Sequence, residues 1–183
     1  MSRLKFETER LKLQPFHSDD ASRISELAND KELSRILGLP HPYELEVAEE
    51  WIASHPEQIK EGIEYPLTIV LKDIKRVIGT ITLRIDKKNN KGELGYWIGK
   101  EYWGNGFATE AVTEVINFGF NQLHLNKIWA SAISTNRAST SVLEKVGLQK
   151  EGTLRKSRLL NEKYEDIDVY GLLQEEHTKK LVP

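Results

Sequence analysis

Arg10-Leu11-Lys12-Leu13-Gln14-Pro15-Phe16 alternates polar with apolar residues, the period-2 pattern of a half-buried strand that Pro15 stops. Asp19 or Asp20 is placed to cap a helix whose apolar face carries Ile24, Leu27 and Ala28. Asn29-Asp30 interrupts that face, and a shorter helical piece ends near Leu37-Gly38. Each proline of Pro40-His41-Pro42-Tyr43 biases its predecessor toward extended backbone, so the stretch reads as a loop. Ala48, Trp51 and Ile52 return to helical spacing in a segment that Pro56 ends or kinks.

From Tyr65 the period switches to that of strands, over residues 65–71, 77–85 and 92–98, with charged turns at Lys72-Asp73 and Lys87-Lys88-Asn89-Asn90. Three hairpin-linked strands predict an antiparallel meander. After Gly104-Asn105-Gly106, the spacing of Ala108, Ala111, Val112, Val115 and Gly119 predicts a helix packed on the sheet. Residues 127–134 read as another strand. Asn136 opens a second helix, with Val142, Leu143 and Val146 inward and Gly147 at its stop. Residues 153–160 and 164–173 form a closing hairpin around Asn161-Glu162-Lys163, and the last ten residues, all but free of apolar pattern, are expected to fray.

Nothing in the pattern divides the chain: no Gly-, Ser- or Pro-rich linker and no repeat occurs in its 183 residues, so a single domain over 1–183 is expected. A balance of 26 basic against 28 acidic residues leaves −2, which argues against a generic polyanion binder. With no cysteine, disulfides, thiolate nucleophiles and Cys-ligated metal are excluded. His17, His55, His124 and His177 stand singly, without partners at metal-ligand spacing, so no metal site is expected. Residues 1–10 are charged throughout and no apolar run spans a bilayer, so a cytoplasmic soluble protein is the default.

Candidate chemistry concentrates at Trp103-Gly104-Asn105-Gly106-Phe107-Ala108-Thr109, a glycine-rich turn opening a helix. Its outward N–H groups and the helix dipole suit a phosphate without any lysine. The turn is neither a Walker motif nor a dinucleotide fingerprint, since the Gly-Lys-Ser/Thr and the third glycine are missing. Taken alone, such a turn is more often a bland tight turn than an anion site.

Glu93-Leu94-Gly95-Tyr96-Trp97-Ile98-Gly99, then Tyr102 through Ala111, then Asn136-Arg137-Ala138-Ser139 with Val142 to Gly147, resembles the GNAT superfamily of acetyl-CoA-dependent N-acetyltransferases. Within it the chain is similar to the RimJ/RimL branch, which acetylates ribosomal-protein N-termini. Arg10 to Phe16, Pro40 to Tyr43, Glu151 to Arg155 and Asp166 to Leu173 extend the likeness over nearly the whole chain. The resemblance implies an α/β fold: a mixed, mostly antiparallel sheet of six or seven strands, splayed at its centre, with helices on both faces. It implies acetyl-CoA as cosubstrate, no metal, an amine acceptor such as a protein N-terminus, no direct nucleic acid or membrane partner, and a homodimer as an allowed assembly.

By the same resemblance the coenzyme-binding loop begins at Trp103, and backbone N–H groups of Gly104, Asn105, Gly106, Phe107, Ala108 and Thr109 hold the diphosphate. Backbone of Trp97, Ile98 and Gly99 pairs with the pantetheine arm and polarises the thioester. Trp103 stands where the superfamily has Arg or Gln. Leu143 stands where many members have a Tyr that protonates the leaving thiolate, and Ser139 is the branch's substitute hydrogen-bond donor. Its other reading is a helix-start serine. Asn136 contacts the coenzyme, caps its helix, or does both. Glu93 is either a proton relay from the amine or a solvated strand-end carboxylate. His41 and Tyr43 are expected on the roof of the acceptor groove, with Asp166 and Tyr170 near its end. Substrate choice falls in residues 33–62. The alternatives are acetylation of a small amine such as a polyamine, amino acid or aminoglycoside, and an acyl-CoA-binding module without turnover.

Overall fold

The computed structural model describes residues 4–181. In chain order the elements are β1 (Phe6–Glu7), β2 (Leu11–Gln14), α1 (Asp20–Ala28), α2 (Lys31–Leu37), α3 (Leu45–Ala53), α4 (His55–Glu61), β3 (Glu64–Leu71), β4 (Arg76–Asp86) and β5 (Lys91–Ile98). There follow α5 (Phe107–Asn121), β6 (Lys127–Ile133), α6 (Arg137–Lys145), β7 (Gln149–Leu160), β8 (Lys163–Leu173) and α7 (Gln174–Leu181). The strands form one sheet in the order β1-β2-β3-β4-β5-β6-β8-β7, antiparallel at every pair except β5 with β6. Eight strands stand where six or seven were expected, because the two-residue β1 is too short for alternation to reveal it.

Helices cover both faces, and strand alternation divides the core accordingly. Leu67, Ile81, Leu83, Leu94 and Ile98 face α5, whose Ala111, Val112, Val115 and Ile116 bury against them. Val77 faces the other side, where Ala21, Ile24, Tyr43, Ala48 and Ile52 form a second cluster. The closing hairpin turns through Asn161 and Glu162, both at positive φ (49° and 63°), as a two-residue turn between right-twisted strands requires.

Three local differences from the sequence reading have physical reasons. Asp19 makes no side-chain cap bond to α1; the acid that caps is Asp30, which accepts from the N–H groups of Glu32 and Leu33 at the start of α2. Pro56 does not end a helix but sits in the first turn of α4, where its missing N–H costs nothing. The polar tail is helical over Gln174–Leu181 rather than frayed, and residues 182–183 lie outside the described residues. Among the described residues no helix is long and apolar enough to cross a membrane.

His55 is only 2% exposed, wedged edge-on between Phe16 (ring centroids 4.7 Å) and Trp51 (4.6 Å), and neither ring nitrogen has a hydrogen-bond partner among the described residues. Burial lowers its pKa from 6.5 to about 4. The folded state therefore binds fewer protons than the unfolded one between those values, and stability rises with pH across that window. Urea unfolding is expected to show a gain of about 3 kcal/mol from pH 4 to 6.5. A His55→Phe variant is expected to lose most of that slope; an unchanged slope would contradict the assignment.

Candidate active site

The two central strands β5 and β6 run parallel and pair over only three positions, Lys91 with Lys127, Gly92 with Ile128, and Glu93 with Trp129. Past Glu93, β5 stays with β4 while β6 stays with β8, so the pair opens like a V. Gly99 donates its N–H to the Ile78 carbonyl at 2.8 Å. Alternation then turns the N–H groups of Ile98 and Tyr96 to the opposite edge, the one β6 has vacated. The free donors on this edge are thus those of Tyr96 and Ile98. Gly99 and Trp97, named with Ile98 by the sequence reading, face β4 instead. The Ile98 carbonyl on the open edge accepts from Trp103 Nε1 at 2.7 Å, which ties the following turn to the strand.

In that turn Gly104 and Gly106 have φ of +76° and +79°, the left-handed region that a side chain resists. A Cβ on Gly104 would meet nothing within 4 Å, so conformation rather than crowding demands glycine. Asn105 turns its side chain inward, donating to the Tyr102 and Trp103 carbonyls at 3.1 and 3.0 Å. Phe107 buries its ring in the core, leaving only its backbone for a ligand. The N–H groups of Gly104 through Thr109, six in succession, have no partner among the described residues, and they open the 15-residue helix α5. Aligned donors and the positive end of the helix dipole make this an anion cradle.

The cradle is braced from the N-terminal strands. Arg10 Nε pairs with Glu110 Oε2 at 2.7 Å, its Nη1 donates to the Asn105 carbonyl at 2.9 Å, and its guanidinium lies 4.5 Å above the Phe107 ring. Thr8 and the Arg10 N–H also donate to Glu110, at 2.5 and 2.8 Å. Burial opposes the Glu110 charge, but these bonds outweigh it and hold its pKa below the usual glutamate value. The carboxylate nearest the cradle is thereby neutralised. Arg10→Ala frees both the Asn105 carbonyl and this charge. It is expected to raise the KM for acetyl-CoA about five- to tenfold with little change in kcat, and an unchanged KM would contradict the brace.

Across the V, α6 presents Ser139. Its Oγ shares a hydrogen bond with the Tyr96 hydroxyl at 3.2 Å, and the Tyr96 hydroxyl also lies 3.3 Å from the Ser139 carbonyl as a donor to it. Burial pushes the Tyr96 phenol above its ordinary pKa, against the pull of the Ser139 bond, so it stays protonated and able to donate. Asn136 Oδ1 accepts from the Ser139 N–H at 3.2 Å, so Asn136 does cap α6. Leu143 is buried in the main core.

One cleft of about 360 Å³ joins these groups, lined by Tyr96, Trp97, Ile98, the turn from Trp103 to Thr109 except Asn105, and the α6 residues Ser139, Val142 and Lys145. Tyr96 packs with the α5 core and Trp97 with the second cluster, so the cleft reaches both faces of the sheet. Leu33, Ile36 and Leu37 of α2 also line it, the part of residues 33–62 that reaches it.

Several expected acceptor-side residues are not brought here. Glu93 sits at the closed end of the V, paired with Arg84 and Trp129, and does not line the cleft. His41 is exposed in its loop, away from the cleft. Tyr43 is 7% exposed, a member of the second core cluster, held by backbone bonds to Ser25 and Asn29; it packs rather than roofs a groove. Tyr170, 2% exposed, packs in the main core and donates to Glu144. Asp166 accepts the Lys156 N–H within the β7–β8 hairpin. Its strand neighbour Asp168 is the buried acid: Lys150, then Thr153 and Ser134, lower its pKa to about 2, and the Ser134 bond anchors the turn that leads to α6. Among the described residues no cluster of His, Cys, Asp or Glu suits a metal ion.

Six free N–H groups at a helix start, an unpaired strand edge and a hydroxyl pair beyond them fit a ligand with a diphosphate, an extended amide arm and a sulfur. Residues 10–149 match the family described as Acetyltransferase (GNAT) domain. The chain is 36% identical over 171 residues to the uncharacterized N-acetyltransferase YoaA of Bacillus subtilis (strain 168), covering 92% of this chain and 96% of that one. The structure is similar to that of ribosomal-protein-S5-alanine acetyltransferase from Vibrio fischeri, with a TM-score of 0.86 at 25% identity over 94% of this chain and 97% of that one. Spermidine N-acetyltransferase from Vibrio cholerae, solved with CoA and spermine, shares the fold with a TM-score of 0.81 at 24% identity over 93% and 99% of the two chains.

Proposed function

Because the chain belongs to the GNAT acetyltransferase family, and so is an acetyl-CoA-dependent N-acetyltransferase, we propose that its acceptor is a protein N-terminal amine, acetylated in the cytoplasm by direct attack within a ternary complex. The observation that carries this reading is the continuous cleft. Its lining carries the anion-cradle N–H groups and the hydroxyl pair, and no carboxylate among the described residues. When bound, acetyl-CoA supplies an acetyl group activated as a thioester. The N–H groups of Gly104 to Thr109 hold the diphosphate, and those of Tyr96 and Ile98 on the open edge hold the arm and the thioester carbonyl. The amine nitrogen bonds to the acetyl carbon as the carbon–sulfur bond breaks. The proton leaving the nitrogen passes to water, and the hydroxyls of Ser139 and Tyr96 donate hydrogen bonds to the departing sulfur. No covalent enzyme intermediate forms: there is no cysteine, and Ser139 is bonded to a protonated phenol rather than to a base.

Release of free CoA, measured with a panel of amines, tests the reading. Peptides with an open N-terminus are expected to release CoA well above the hydrolysis background, and acetyl-CoA at 100 times its Kd is expected to stabilise the fold by about 2.7 kcal/mol. Turnover confined to small amines would overturn the acceptor. Binding without turnover of any amine would overturn the enzyme in favour of a coenzyme-binding module.

A further inference from the structure

We propose that Trp103 is a positioning residue whose indole fixes the register of the coenzyme arm on the open edge of β5. The proposal rests on the seating of acetyl-CoA in the cleft put forward above and names a residue that acts within that seat.

Alternation sorts the backbone of the strand. Gly99 donates to the Ile78 carbonyl at 2.8 Å, and a Cβ on Gly79 would collide with the Trp97 carbonyl, so Trp97 and Gly99 turn their polar groups to β4. Tyr96 and Ile98 turn theirs to the edge that β6 leaves after Glu93. Leu94, the next residue of the same parity, does not line the cleft. An amide N–H of the arm therefore meets two carbonyls of equal chemistry, about 7 Å apart along one strand. Trp103 removes the choice. Its Nε1 donates to the Ile98 carbonyl at 2.7 Å, at the short end of the range for such a bond. The Tyr96 carbonyl remains, on the residue whose hydroxyl meets Ser139.

The indole is preset for this bond. The Trp103 N–H donates to the Lys100 carbonyl at 3.1 Å, and the Trp103 carbonyl accepts from Asn105 Nδ2 at 3.0 Å, so the backbone is held from both sides. The ring lines the cleft, is 39% exposed and belongs to neither core cluster, which sets it apart from a packing residue. An indole nitrogen donates and does not accept, so it blocks a carbonyl without offering the arm a substitute. Without that N–H, an arm amide gains a second seat two residues nearer the cradle, and the thioester is drawn away from the hydroxyl pair. Only the fraction of bound coenzyme in the first seat then reacts, so kcat falls while binding does not weaken.

Trp103→Phe keeps a ring and deletes the donor; a benzothienyl ring in place of the Trp103 indole, with sulfur where the N–H stands, keeps the shape as well. Both are expected to lower kcat about fivefold, the change in population that one neutral hydrogen bond sets, with the KM for acetyl-CoA unchanged or lower. Calorimetry supplies a readout without turnover, using ADP, which has a diphosphate and no arm, and CoA, which has both. The Kd for ADP is expected to stay within about twofold of wild type and that for CoA to stay level or tighten. The melting temperature without ligand confirms that each variant folds. A KM for acetyl-CoA or a Kd for ADP that rises beyond about twofold makes Trp103 a brace of the cradle alone and overturns the proposal, as does an unchanged kcat in both variants. A wild-type protein that binds CoA no more tightly than ADP overturns the seat on the strand edge itself.

Discussion

Replacing Tyr96 with phenylalanine and Ser139 with alanine in one protein is expected to lower kcat about 100-fold while leaving the KM for acetyl-CoA within about twofold. Both hydroxyls face the middle of the cleft, 3.2 Å apart, one from β5 and one from α6. A hydrogen bond to a charged partner contributes about 1.5–3 kcal/mol, and the sulfur carries its charge only as the carbon–sulfur bond breaks. The loss therefore falls on kcat. Either single variant is expected to lose about fivefold, less than half the double effect on an energy scale, because the remaining hydroxyl reorients once its partner is gone. Tyr96→Phe is the more diagnostic of the two, since it keeps the buried ring and removes one oxygen. Steady-state kinetics of the three variants checks the set, and a fully active double variant would remove the hydroxyl pair from the chemistry.

Gly106→Val is expected to raise the KM for acetyl-CoA by about 30-fold or more. At φ +79° a β-branched residue is strained by more than the 1–2 kcal/mol an ordinary side chain bears there, so the turn relaxes and its N–H groups no longer converge. A Cβ at Gly106 would meet only Arg10 Nη2, at an ordinary 3.5 Å, so sterics inside the fold are not the cause. The exposed position predicts a small change in melting temperature without ligand and a large loss of the shift that acetyl-CoA produces. A retained ligand shift would show that the cradle does not depend on its glycine geometry.

Much of this was legible because it depends on local pattern. Gly104 and Gly106 announce a positive-φ turn before an amphipathic helix, and both are found so. The alternation in β4 and β5 located the meander to within about two residues. What escaped the sequence depends on contacts between distant segments. Tyr96 and Trp97 are adjacent and alternate by rule, so the sequence gives their opposite faces but not which face meets α6. Arg10 reads as one more polar position of a strand, and only the fold brings it to Asn105 and Glu110, about 100 residues on. Tyr43 and Tyr170 have the composition of groove residues, yet burial of their rings contributes more to the two cores than exposure would offer a ligand. The V itself has a sequence signal only in its consequences: β5 and β6 part after Glu93 because each continues with its antiparallel neighbour on the other side.

Initial rates with acetyl-CoA and an N-terminal peptide varied together are the most direct test of direct transfer across the open strand edge. Double-reciprocal lines that intersect are expected, because both substrates must occupy the cleft before the carbon–sulfur bond breaks. Parallel lines, with an acetylated protein isolable in the absence of peptide, would contradict it.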